Sequence, residues 1–215
     1  MKKFPLAIFG TLAALLAISG CSFLTMGYNR QYGSPVTAQY AGLADKTVAI
    51  VVYVDQAESY EYPQARSEIS NFVATTMRQA MPKIKLVDPK LVIQWQDETL
   101  NWASISEKEI GKHFGVDRVV YIEVIDYGTR EPGASDLLRG RLQTTCKVFE
   151  TETPGSTAVW NQPLRVFWPE NGPMDATQGS DLAVRQHVLE AFSSQLTGAF
   201  YDHRDVEPSA REKMQ

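Results

Sequence analysis

Residues 47–54 read Thr-Val-Ala-Ile-Val-Val-Tyr-Val, a nearly continuous β-branched run. It lacks the polar alternation of a strand with one wet face, so it predicts a strand buried on both sides. The remainder of the chain must then supply cover for a sheet rather than form a small, one-sided hairpin.

The next segments fit that demand. After an acidic and aromatic loop at 55–62, Pro63 is well placed at a helix start, and Ile69, Phe72, Val73, Thr76, Met77 and Ala80 recur at helical spacing until Pro82. A short strand is expected at 84–87, followed by Asp88-Pro89, a capping residue and a helix-compatible proline. Residues 90–97 fit two templates: Leu91, Ile93 and Trp95 alternate as in a strand, whereas Leu91 and Trp95 alone suit a helix. Ser106-Glu107-Lys108-Glu109 is a capping box with Ile105 and Ile110 as its hydrophobic staple, predicting a helix at 107–114 that Gly115 ends.

A second central strand is expected at 118–127, through Val119-Val120-Tyr121-Ile122. Two longer strands, 139–151 and 158–168, follow, joined by the turn signal Glu152-Thr153-Pro154-Gly155; Pro163 favours an edge or a bulge in the second. A last helix at 180–201 carries Leu182, Val188, Leu189, Phe192, Leu196 and Phe200 as its apolar stripe. The order predicts an α/β (α+β) fold: one mixed sheet with two parallel crossover units, then an antiparallel meander, with helices packed on it. The globular domain is placed at 46–201, and 202–215 reads as a charged, frayed tail.

The amino-terminal end carries a different message. Lys2 and Lys3 precede an apolar stretch at 4–18 that Pro5 and Gly10 interrupt. It is shorter than the ~20 residues a helix needs to cross a hydrocarbon core, and reads as a secretory signal over 1–20. The run Ile18-Ser19-Gly20-Cys21 that closes it resembles the lipobox of bacterial lipoproteins. That resemblance implies acyl chains on Cys21, hence a membrane partner, since two or three chains make anchorage effectively permanent. Ser22 follows, which in enterobacterial lipoproteins goes with the outer membrane, facing the periplasm. Residues 21–45, rich in Gly, Ser, Thr, Tyr and Gln, read as a flexible tether, with Tyr28, Tyr32 and Tyr40 an unusual aromatic load for one.

Removing such a signal takes Lys2 and Lys3 with it and moves the net charge from −4 to −6, leaving 195 residues. That length can bury a genuine core, and a mildly acidic chain argues against nucleic acid as the partner. With Cys21 acylated, Cys146 is the one remaining cysteine, so no intramolecular disulfide is possible. Cys146 shares an alternating face with Leu142 and Val148 and reads as core.

No catalytic signature emerges. His113, His187 and His203 lie in separate segments without metal spacing, and phosphate-loop, nucleophile-elbow and calcium-loop patterns are missing, so no metal or cofactor is expected. The better candidate is a surface. If strands 47–54 and 118–127 are parallel, their carboxyl ends meet on one rim, and the antiparallel pair returns Trp168 to it. The rim loops carry Tyr60, Tyr62, Tyr127, Arg130 and Trp168, residue types that dominate protein interfaces. An alternative is a small-molecule or hydrolytic site at the same rim, built from Glu58, Glu61, Asp126 and Arg130.

The segment Ile105-Ser106-Glu107-Lys108-Glu109-Ile110-Gly111, leading into Phe114-Gly115-Val116-Asp117-Arg118-Val119-Val120-Tyr121, together with the order of elements over 45–201, resembles a group of envelope proteins. These are the penicillin-binding-protein activator lipoproteins, the periplasmic domain of the curli-export lipoprotein and the amino-terminal domain of the TolB translocation protein. The resemblance implies a non-catalytic, lipid-anchored adaptor with an envelope protein as partner. Curli-export relatives insert long amphipathic hairpins. The connections at 128–138 and 152–157 read as short and polar, against a pore role.

Overall fold

The computed structural model describes residues 33–153 and 157–205 of the chain. The expected signal segment, Cys21 and the first part of the expected tether lie outside the described residues. Two units are present, 38–201 and a small one made of 33–37 with 202–205. In the small unit, β1 (Ser34–Val36) pairs antiparallel with β8 (His203–Asp205), Ser34 opposite Asp205 and Val36 opposite His203. The Arg204 guanidinium donates to the Gly33 carbonyl at 3.0 Å. The start of the expected frayed tail is thus a short strand.

The large unit is built on β2 (Thr47–Tyr53), β3 (Lys85–Leu86), β4 (Arg118–Glu131), β5 (Ala134–Glu150), β6 (Trp160–Trp168) and β7 (Met174–Asp175). The strand order is β3-β2-β4-β5-β6, with β7 added beside β5. β2 runs parallel to both β3 and β4, and β4, β5 and β6 form an antiparallel meander. The mixed sheet expected from the sequence is therefore the one observed.

Among the described residues five α-helices accompany it: α1 (Gln56–Glu61), α2 (Ala65–Ala80), α3 (Pro89–Glu98), α4 (Glu107–Phe114) and α5 (Asp181–Gly198). One face of the sheet, carrying Val48, Ile50, Val52, Ile122 and Leu142, packs on α2 and α5 through Ile69, Val73, Met77, Val188, Phe192 and Leu196. The opposite face of β2 and β4, carrying Ala49, Val51 and Val119, packs on α3 and α4 through Val92 and Ile110. Close approach of α5 depends on Gly140 of β5, where a Cβ would lie 2.2 Å from a Val188 methyl.

The local signals act as expected at α4. Ser106 and Glu109 form both halves of the capping box, and Gly115 closes the helix at φ 62°. At α3 the helical template wins because Asp88 accepts the Lys90 N–H and Pro89 opens the first turn. Its buried side chains are Pro89, Val92 and Gln96, with Trp95 partly covered, whereas Leu91 is exposed. Leu182 likewise points outward from α5, and Val184 takes the inward place.

Three further expectations are corrected. The loop at 55–62 contains α1, which Asp55 caps by accepting from the Ala57 and Glu58 N–H groups. The connection at 128–138 is not a loop: β4 and β5 continue through it as a hairpin turned at Pro132 and Gly133. The tether reading over 21–45 stops short of the structure. From Ala38 the chain belongs to the large unit, with Leu43 fully buried and the Tyr40 ring edge-on to Phe200. The Tyr40 hydroxyl donates to Glu150 at 3.2 Å and accepts from Arg118 Nε at 3.1 Å. These contacts are far apart in sequence, so no local pattern announces them.

Candidate functional site

The carboxyl ends of β2 and β4 lie side by side, but β4 runs on past β2. Tyr53, the last residue of β2, pairs with Glu123, and β4 continues to Glu131. A bulge follows Val124, leaving Ile125 58 % exposed. Tyr127, beyond that bulge, is buried and meets Tyr62 edge-on with ring centroids 5.1 Å apart.

Over this pair lies a cleft of about 400 Å³, lined by Glu61, Tyr62, Gln64, Glu68, Thr129, Arg130, Asp181 and Arg185 among others. Its walls are the end of α1, the start of α2, the β4 arm and the start of α5. Most of its acids are already engaged. Glu68 accepts from the Tyr127 hydroxyl at 3.4 Å and from Arg185 at 3.3 Å. Asp181 accepts from Thr129 at 2.6 Å and from Arg130 at 2.6 Å, and the Thr129 hydroxyl, then Arg130, hold its carboxyl below the usual range. Burial pushes the Tyr127 phenol upward, so it stays a neutral donor to Glu68.

Of the residues named from the sequence, Tyr62 and Arg130 line this cleft, with Tyr127 packed on Tyr62. Tyr60 stands on α1, 90 % exposed. Trp168 pairs with Gly140, next to the Arg141 that pairs with Gly128, and so reaches the same end of the sheet. Its ring, however, stacks on His187 of α5 at 4.2 Å and lines a separate groove of about 480 Å³ with Arg139, Arg165 and Phe167. The antiparallel return fixes the level of Trp168 but sets it two strands away from β4.

The alternative set does not converge. Asp126 accepts from Arg141 at 3.1 Å and from Gln143 at 3.0 Å, and does not line the cleft. Glu58 hydrogen-bonds Asp55, which raises the Glu58 pKa and lowers that of Asp55, while Asp126 acts on Glu58 only through weaker charge repulsion. Glu61 lines the cleft with Arg130, whose guanidinium is bound to Asp181 and to the Ser135 carbonyl. Cys146 is fully buried, and burial pushes its thiol up to about 12, as befits a core residue. Among the described residues no group of His, Cys, Asp or Glu is placed to hold a metal ion, and no helix is long and apolar enough to cross a membrane.

Sequence reading missed Glu68, Thr129, Asp181 and Arg185. Each is an ordinary polar residue of a helix or strand, and only the docking of α5 beside α2 and β4 brings them together.

No family model matches this sequence, and no curated protein does. Several solved bacterial structures align with most of the chain. The PelC dodecamer from Paraburkholderia phytofirmans aligns at 12 % identity and TM-score 0.43, covering 75 % of this chain and 94 % of that one. The lipoprotein GNA1162 from Neisseria meningitidis aligns at 11 % and 0.43, covering 70 % and 96 %. Protein XCC0632 from Xanthomonas campestris, of the DUF330 family, aligns at 9 % and 0.46, covering 78 % and 91 %. At such identity and TM-score, function has to be argued from this chain's own residues.

Proposed function

We propose that this chain is a lipid-anchored lipoprotein of the bacterial envelope, acting without catalysis as an adaptor or assembly factor for another envelope protein. The observation that carries the reading is Ile18-Ser19-Gly20-Cys21 behind a short apolar segment with a basic start. Acyl chains on Cys21 would hold the domain at a bilayer, and Ser22 fits sorting to the outer membrane, facing the periplasm. The pattern at 105–121, similar to penicillin-binding-protein activator, curli-export and TolB domains, fits the same role.

The chemistry of the rim supports binding over turnover. A general acid and base need two groups held free for proton transfer, whereas Glu68 and Asp181 each rest on an arginine and a hydroxyl. The Asp55–Glu58 contact sits at the cap of a short surface helix with Asp55 exposed. Tyr60, Tyr62 and Arg130 are the residues offered to a partner there. Replacing Cys21 by Ala should release the protein from membranes in fractionated cells, and the wild-type amino-terminal peptide should carry the added mass of its acyl chains. Retention of C21A, or an unmodified Cys21, would remove the reading. A photo-crosslinking residue at position 60 of the lipidated protein should give one discrete adduct that Arg130→Glu diminishes. A smear unaffected by that change counts against an adaptor surface.

A further inference from the structure

β3 is only two residues long, and this leaves β2 with an unusual flank. It pairs with Thr47 and Val48 of β2 and no further. Beyond that level α3 closes against the strand, and the Gln96 amide donates to the Val52 carbonyl at 3.1 Å. The chain leaves β2 toward α2 on one face of the sheet and leaves β3 toward α3 on the other. With β3 ending opposite Val48, the carboxyl end of β2 stands beyond that of β3, at the rim where open α/β sheets take ligands.

At that end of β2 lies a crevice of about 230 Å³, lined by Tyr53, Val54, Ser59, Tyr62, Pro63, Arg66 and Trp102. It differs from the cleft over Tyr127 in both composition and charge. Three of its seven lining residues are aromatic, and the Tyr53 and Trp102 rings stand 6.0 Å apart with their planes inclined by 65°, forming a corner. Arg66, its one cation, is paired with Asp97 of α3. Beyond that pair the elements around it are acidic: Asp55, Glu58 and Glu61 on or beside α1, which has no basic residue, and Glu98 at the end of α3. Asp55 and Asp126 both raise the Glu58 pKa, as expected where negative charge is crowded.

Aromatic faces carry the negative side of a quadrupole and attract a cation placed over them, most strongly when it is an organic ammonium shielded from water. Carboxylates around the mouth add to that attraction over roughly a Debye length, ~8–10 Å at ordinary salt. An anion would meet both effects as repulsion, with Arg66 already neutralised by Asp97. A bare metal ion would find no set of ligating groups among the described residues. We propose that this crevice binds an alkylammonium group, held between Tyr53, Tyr62 and Trp102 beneath the acidic α1. The group can reach it as a lysine side chain of a polypeptide or as a free quaternary amine. The site adjoins the cleft of the adaptor reading and shares Tyr62 with it, but Tyr53 and Trp102 belong to this crevice alone, so their variants test it independently of that reading.

The test compares choline with its neutral isostere 3,3-dimethylbutan-1-ol, titrated into the whole domain at low salt and followed by backbone and indole NMR shifts. Choline should saturate the resonances of Tyr53, Tyr62 and Trp102 and bind at least about tenfold more tightly than the isostere. Tyr53→Leu and Trp102→Leu should each weaken it about three- to tenfold. Glu58→Gln, on a helix with no buried residue, should weaken it about two- to threefold and flatten its salt dependence. Arg165→Ala, on β6, should leave it unchanged. A lysine tripeptide that outcompetes choline, and loses this on Nε-acetylation, assigns the group to a polypeptide; choline outcompeting the tripeptide assigns it to a free amine. Equal binding of choline and its isostere, or no saturable shift with choline while the domain stays folded, overturns the proposal.

Discussion

The two halves of the sheet solve the burial problem differently. In β2 five consecutive residues, Val48 to Val52, are buried, because α2 and α5 cover one face and α3 and α4 the other. In β5 burial alternates strictly from Leu138 to Val148, because helices cover only the Leu142–Cys146 face. On its open face the meander carries ion pairs, Lys147 to Glu123 at 3.0 Å and Arg141 to Asp126 at 3.1 Å. Parallel strands need a crossover element, and those elements bury both faces, whereas an antiparallel return leaves one face wet. The lesson is one of division: the parallel half is covered on both faces, and the extended arm of the meander positions polar groups at the rim.

The largest effect should come from the doubly covered strand. Ile50→Ala leaves a cavity among side chains that cannot relax into it and should cost about 2–5 kcal/mol in urea denaturation. Ile125→Ala, at the exposed bulge of β4, should stay within about 0.5 kcal/mol. Equal losses at the two positions would break the comparison. The helix-covered face of the meander is tested by Gly140→Ala, whose Cβ would press on Val188 and Val184 and should cost about 1–3 kcal/mol. Adding Val188→Ala should return part of that loss if the clash is the cause.

The smallest effect sits on the arm and depends on pH. The Asp181 carboxyl is held below its ordinary 3.8 in the folded chain, first by Thr129 and then by Arg130. A carboxylate depressed by folding contributes stability above its unfolded pKa and loses it as pH falls through the folded value. Thr129→Val should therefore lower stability above pH 3.8 and narrow its loss below that pH, as read from acid-titrated melting curves. An unchanged acid limb would show that the arm is held by packing alone.

Legibility followed the range of the interactions. β2, α4 and the start of β4 were readable because their signals are local: a β-branched run, the Ser106–Glu109 box and the Gly115 stop. α3 was ambiguous because its inward residues include Gln96, whose burial makes sense only once it bonds the Val52 carbonyl. Leu182 was misassigned because helical spacing does not say which end of a stripe meets the sheet. At the rim, Tyr62 and Arg130 could be nominated from composition, but Glu68, Asp181 and Arg185 could not.

By itself the sequence determined the mixed sheet and the order of its crossovers and meander. Backbone preferences and apolar periodicity act over a few residues, and so they survive without a structure. The tertiary structure alone decided that 38–45 joins the large unit, that the β4–β5 hairpin stands beyond β2, and that arginines from the β4 arm and α5 bind Asp181 and Glu68 in the cleft. Those outcomes depend on which helix docks where, and that is set by burial summed over residues more than a hundred positions apart.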